Sequence, residues 1–341
     1  MYKNRQIVML FFAFVVLSFP GTSKAANKTL DAIVGNGSAA LWRNPGDIAS
    51  RNLFYGSGGK EHQPHAPFTF IKEDLDGTNP KFEVRDRDGV KWKVKLGEET
   101  RPETVGTRFV WAVGYFTDED YFLPSFRAEN MPHHLHRGQN LIASDGSMRN
   151  VRLKRSLKGE KKIGHWRWRH DPFTGTRELN GLRVMMALIN NWDLKDVNNA
   201  VYEEKEPGEP QPKQVYMVSD LGASFGTTGR SVTRAKSKGN LNSYSHSKFI
   251  RKVTPSYVDF NVPTRPALIH LVELPAFIYR LQLRWIGKRI PRDDARWMGQ
   301  LLAQLSPDQI RAAFSAGGYS AQEVEGFTRV VEFRISELNQ L

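Results

Sequence analysis

The chain has 341 residues, 40% hydrophobic and 25% charged, a composition that suits a folded protein with one large core or two modest ones and excludes a disordered, collagen-like or polytopic membrane chain. Its 49 Lys and Arg against 36 Asp and Glu give +13, so anionic partners are expected: nucleotide, nucleic acid, phosphorylated substrate or anionic membrane. The absence of cysteine excludes disulfides, thiolate metal sites and a cysteine nucleophile.

Residues 1–25 read as a secretory signal peptide. Lys3 and Arg5 precede an apolar run from Ile7 to Leu17, and Pro20-Gly21 breaks the helix ahead of Ser23-Lys24-Ala25. That run is shorter than the roughly 20 residues a membrane span needs. The expectation is cleavage after Ala25, export to the periplasm or beyond, and no transmembrane span in the mature chain. Cleavage would remove Lys3, Arg5 and Lys24, three of the +13, leaving +10.

Residues 50–160 carry short strand-like alternations broken by Gly, Asp and Asn. Tyr55-Gly56-Ser57-Gly58-Gly59-Lys60 is glycine-rich and reads as a flexible surface turn or as a cradle of backbone N–H groups for phosphate, and Asp76-Gly77-Thr78-Asn79-Pro80-Lys81 is a second such stretch, between two strand-like runs. Phe82–Arg85, the turn at Asp88-Gly89, and Trp92, Val94 and Leu96 alternating with Lys91, Lys93 and Lys95 predict a hairpin with one apolar and one basic face. A helix is expected from Pro102. His133, His134 and His136 lack the partners of a metal site. The basic run Arg149–Lys162 reads as the exposed face of a hairpin, and Trp166 and Trp168, alternating with Arg167 and Arg169, as core or hinge packing rather than a base-stacking surface.

Residues 177–191 show Leu179, Leu182, Met185, Met186, Leu188 and Ile189 at helical spacing behind an N-cap at Thr176. The polar turn Asn190–Asn199 follows, then a strand at Ala200–Tyr202, a Pro/Glu-rich loop over Glu203–Lys213, a strand at Gln214–Val218 and Ser219-Asp220-Leu221-Gly222. From Leu221 to Val258 there is no acid, while Arg230, Arg234, Lys236, Lys238, Lys248, Arg251 and Lys252 add positive charge. Helices are predicted at Leu268–Leu283, interrupted by Pro275, at Asp293–Leu305, at Pro307–Ala316 capped by Ser306, and at Ala321–Leu338 capped by Ser320.

This order of parts resembles the protein-kinase-like superfamily. Asp193-Leu194-Lys195-x-x-Asn198 matches the D-L-K-x-x-N of the kinase catalytic loop, and Asp220-Leu221-Gly222 matches D-F-G with Leu for Phe. The resemblance implies an α+β, two-lobed fold: a β-rich N-lobe with one helix over residues 26–165, and a larger, mainly helical C-lobe over 166–341. It implies Asp193 as the base or orienting group at an acceptor hydroxyl, Lys195 as neutraliser of the transferring phosphoryl, and Asn198 and Asp220 as ligands of Mg²⁺ or Mn²⁺ held against ATP or another nucleotide. It also demands an N-lobe lysine and a helical acid. Lys95 and Glu103 are chosen, with Lys93 and Glu99 as the nearest substitutes.

No His-Arg precedes Asp193 and no Ala-Pro-Glu follows Asp220, so the chain is similar to atypical branches such as secreted, spore-coat, HipA-type and lipid kinases. The expected function is an exported phosphotransferase acting on a hydroxyl of an acidic or phosphorylated protein, lipid or small molecule, with nucleic acid not expected as a partner. Two alternatives stand beside it: an inactive kinase-like scaffold, and a basic secreted polyanion binder.

Overall fold

The computed structural model describes residues 39–77, 79–157, 159, 161–205, 212–227, 237–262, 278 and 281–341. The expected signal peptide, the helix over most of 268–283, and Arg230, Arg234 and Lys236 lie outside them.

A five-stranded antiparallel sheet forms the first layer, in the order β2 (Thr69–Asp74), β3 (Lys81–Arg85), β4 (Lys91–Lys95), β6 (Met148–Arg155) and β5 (Asp120–Phe126). The predicted hairpin is β3 and β4, in register from Lys81 opposite Lys95 to Arg85 opposite Lys91. Period-two alternation puts Phe82, Val84, Trp92 and Val94 into a core with Phe68, Phe126, Val151 and Leu153. The basic run at 149–162 departs from expectation. Instead of an exposed hairpin, β6 is an inner strand between β4 and β5, and β7 (Lys161–Gly164) belongs to a different sheet.

Helix α1 (Thr100–Ala112) crosses behind this sheet and is buried almost all round. Arg108 on α1 pairs with Asp120 of β5 at 2.8 Å, both out of solvent. Phe109 reaches the other way, onto Phe225 and Phe314. α1 is therefore the shared wall between the sheet and the helical half.

Helix α2 (Arg177–Leu188) starts where Thr176 accepts from Leu179 N and is buried from Leu179 to Leu188, with Asn180 and Arg183 among its buried residues. It stops at Asn190, whose φ of 54° ends the helical path. After the turn, β8 (Asn199–Glu204) and β9 (Lys213–Val218) form the second predicted hairpin, flanked by β7 and by β1 (Ala39–Ala40). Short α3 (Leu241–Ser245) and a small sheet of β10 (Ile250–Val253), β11 (Tyr257–Phe260) and β12 (Ile290–Pro291) follow.

Helices α4 (Arg292–Leu302), α5 (Pro307–Ala316) and α6 (Ala321–Asn339) close the chain. The last two open on reciprocal caps, Ser306 with Gln309 and Ser320 with Glu323, the local signals that make their starts readable. Phe314 and Phe327 stack at 4.7 Å and gather Phe225, Tyr244 and Tyr319 into one aromatic core. No helix among the described residues is long and apolar enough to cross a membrane.

Candidate active site

The two motif segments are laced together by backbone. Phe225 N donates to Ile189 O, Trp192 N to Ala223 O, and Ser219 N to Asn198 O. Asn190 Nδ2 donates to Gly226 O and Ser247 Oγ, while buried Arg334 donates to Leu188 O, Asn190 Oδ1 and Ser247 Oγ. The turn after α2 is thus fixed by an arginine from α6, and one end of the polar stretch is structural rather than reactive.

Within the turn, Asn191 Oδ1 accepts from Asp193 N at 3.0 Å, and Asn198 Nδ2 donates to Asp193 O at 2.6 Å. Lys195 Nζ lies 3.1 Å from Asp193 Oδ1. The Asn198 carboxamide donates an N–H to this closure, and its oxygen could serve as a hard ligand. Asp220 accepts from Gly222 N at 3.2 Å, and a Cβ on Gly222 would lie 2.6 Å from Glu99 Cβ. Glycine is what lets the Asp220 turn approach the start of α1.

That approach brings Asp220 to Lys95. Lys95 Nζ, 3% exposed, lies 2.7 Å from Glu103 Oε2, 2.6 Å from Glu99 Oε2 and 3.6 Å from Asp220 Oδ1. Arg152 Nη2, from the strand beside β4, takes the other Glu103 oxygen at 2.7 Å. Glu99 also accepts from Asn79 Nδ2 at 2.6 Å and pairs with Lys238. Burial pushes Lys95 down, but Glu103, Asp220 and Glu99 outweigh it and hold the ammonium above its usual range. Burial likewise opposes the charge on Glu99, yet Lys95 and Lys238 hold its carboxyl down at about 2.

All six residues expected from the sequence line one cleft of about 570 Å³: Lys95, Glu103, Asp193, Lys195, Asn198 and Asp220. Asp76, Gly77 and Asn79 line it too, whereas Gly56 and Gly58 face Arg108 and Tyr121 behind α1. Of the two glycine-containing loops, the second borders the cleft. A larger cavity of about 680 Å³ near the N-terminal end of α1 contains none of the six; convergent charge marks the site, not volume.

Its electrostatics suit phosphate and metal together. Lys81 and Lys162 are pushed down by burial and by neighbouring lysines, and buried Arg152 keeps Nε and Nη1 without acceptors. Surplus donors of this kind fit an anion. Carboxylate oxygens of Glu99, Glu103 and Asp220 lie within 4.8 Å of one another, a hard-oxygen set that fits Mg²⁺ or Mn²⁺. Elsewhere, His136 pairs with Glu73 at 2.9 Å and no metal cluster forms at the histidine run among the described residues. Trp166 and Trp168 are buried edge to face at 4.8 Å, as the alternation implies.

The architecture is the two-lobed one that the protein-kinase-like resemblance implies. It combines a β-rich lobe carrying a lysine paired to the following helix with a mainly helical lobe, whose hairpin links the polar turn to an Asp-Leu-Gly. Solved structures to which the chain is similar include the Helicobacter pylori proinflammatory kinase CtkA, 11% identical over 80% of this chain and 96% of that one with a TM-score of 0.42, and the Golgi casein kinase. The latter is 9% identical over 81% of this chain and 74% of that one with a TM-score of 0.42, and, with Mn/ADP bound, 10% identical over the same shares with a TM-score of 0.39. No protein-family profile and no curated protein matches the chain.

Asp118, Arg152 and Lys154 line the cleft without having been selected from the sequence, and Lys238, which meets Glu99 from the larger cavity, was marked only as part of a basic stretch. Arg152 and Lys154 sat in an alternation whose packed face is decided by tertiary packing, and Lys238 in a stretch without acids that offers no register.

Proposed function

We propose that the chain is an exported phosphotransferase that moves a nucleotide's terminal phosphoryl group to an acceptor hydroxyl. The observation that carries this reading is the meeting of Lys95, Glu103 and Asp220 with Asp193 and Asn198 on one cleft. Phosphoryl transfer asks a protein mainly for positioning and charge neutralisation.

In this reading Lys95, fixed by Glu103 and Glu99, holds nucleotide phosphate oxygens, and the loop at 76–81 covers them. Asp220 and Asn198, with Glu99 beside them, would hold Mg²⁺ or Mn²⁺, which would supply charge neutralisation for the phosphates. Asp193 orients the acceptor hydroxyl and takes its proton as the new O–P bond forms and the bond to the nucleotide's bridging oxygen breaks. Lys195 neutralises charge on the moving group. The acid-free stretch after Asp220 favours an acidic or phosphorylated protein, lipid or small-molecule acceptor.

The test is binding before turnover. Purified protein should show a thermal shift with ATP, ADP or GTP that requires Mg²⁺ or Mn²⁺. No shift with any of them overturns the reading.

A further inference from the structure

The stretch 165–170 runs alongside the catalytic turn. His165 Nδ1 lies 2.7 Å from Asn199 O, Asn199 Nδ2 donates to Trp166 O at 3.1 Å, and Trp168 N donates to Asp196 Oδ1 at 3.2 Å. The stretch also joins two cavities. His165 lines the nucleotide cleft, whereas Arg167, Trp168, Arg169 and His170 line a second cavity of about 550 Å³ with Asp196 and Trp285.

The chemistry of this second cavity is that of an anion receptor. Arg167 and Arg169 are exposed, and among the described residues neither is in an ion pair. The Arg169 guanidinium lies over the Trp285 ring at 4.8 Å, which orients its donors without consuming them. Trp168 is 1% exposed, and its Nε1–H has no acceptor. Its neighbour Trp166 donates to Met217 O at 2.9 Å, so the orphan is specific to the residue that lines the cavity. A buried donor without an acceptor destabilises a fold unless a ligand oxygen satisfies it. Asp196, the acid in this lining, already receives Trp168 N on one oxygen.

We propose that this cavity is a subsite for an anionic group, carboxylate or phosphate monoester, carried by the molecule that receives the phosphoryl group. Two guanidiniums match planar or tetrahedral oxyanions through paired N–H donors, and the indole N–H of Trp168, in the same lining, reports their occupancy. Asp196, in its wall, follows Asp193 by three positions in the same turn. An acceptor with an anionic group a short distance from its hydroxyl therefore reaches both. The acceptor role rests on the phosphotransferase reading; anion binding at Arg167, Trp168 and Arg169 does not.

The experiment is a nucleotide-free titration of the full chain, following tryptophan indole N–H signals by NMR with the Trp168 signal assigned through Trp168→Phe. The probes are tetraglutamate, an O-phosphoserine tetrapeptide and tetraglutamine. Tetraglutamate or the phosphopeptide should shift the Trp168 signal saturably, the one acting at lower concentration identifying the anion, and tetraglutamine should leave it unmoved. The double variant Arg167→Gln/Arg169→Gln, at two exposed positions, should weaken binding at least 10-fold with circular dichroism unchanged. A Trp168 signal that ignores both anions, or that shifts equally in the double variant, overturns the subsite. Phosphoryl transfer without any Trp168 response overturns the subsite alone. Saturable binding with phosphoryl transfer that is equal in parent and double variant overturns the acceptor role and leaves an anion site, whereas the phosphotransferase reading falls only if the metal-dependent nucleotide shift is absent.

Discussion

The two walls of the cleft are built on opposite principles. The wall from β4, β6 and α1 is a closed ionic lattice: Lys95, Glu103 and Arg152 are buried, and each holds another at 2.7 Å. The wall from the turn after α2 is open: Asp193 and Lys195 are partly exposed, Asp220 is 34% exposed at its side chain, and what is rigid there is backbone. Charge on the first wall is buried in the fold, whereas charge on the second lies at the surface of the cleft. The same substitution chemistry should therefore read as lost stability on one side and lost function on the other.

The most severe expected effect is Glu103→Ala. It strands Lys95 and Arg152 in the interior, and removing one partner of a buried ionic group costs about 3–5 kcal/mol. Denaturant unfolding should show a loss of that order together with loss of nucleotide binding. A change below about 1 kcal/mol would mean that the lattice is not structural.

Asp193→Asn and Asp220→Asn should behave in the opposite way. Each position is partly open, so the stability lost should be at most about 1 kcal/mol, well below that of Glu103→Ala. Asp193→Asn should lower turnover by roughly 10²–10⁴ while nucleotide affinity stays within about 2-fold. Asp220→Asn should abolish the metal-dependent thermal shift itself. If both variants lost stability as Glu103→Ala does, the contrast between the walls would collapse.

How far the sequence reveals this contrast depends on how local each signal is. The β3–β4 hairpin follows from alternation around Asp88-Gly89, and α5 and α6 from Ser-x-x-Gln and Ser-x-x-Glu caps. Asp193, Asn198 and Asp220 were legible because one turn and one hairpin fix their spacing. The closed wall was legible only in part. Lys95 and Glu103 are eight residues apart and follow from a strand entering a helix, but Arg152 arrives from 49 residues beyond Glu103 and Lys238 from 139 beyond Glu99. Tertiary packing alone decides that Arg152 faces inward while Arg149 stays exposed in the same strand. The two glycine-containing loops were locally equivalent, and only the placement of α1 separates them.

Glu99 stands where the two walls meet, and its titration gives the smallest effect. Lys95 and Lys238, overcoming burial, hold its folded carboxyl at about 2, below the ordinary 4.5. A depressed carboxyl pKa contributes stability that is fully present above the unfolded value and is lost as pH falls through the folded one. The window runs from about 4.5 down to about 2, and the contribution is on the order of 1–3 kcal/mol because Glu99 is mostly buried. Acid unfolding of the parent should steepen across that window. Glu99→Gln should flatten that part of the curve and lower stability near neutral pH by a similar amount. An identical slope in both proteins would show that Lys95 and Lys238 do not stabilise the Glu99 carboxylate, and would detach the segment carrying Lys238 from the closed wall.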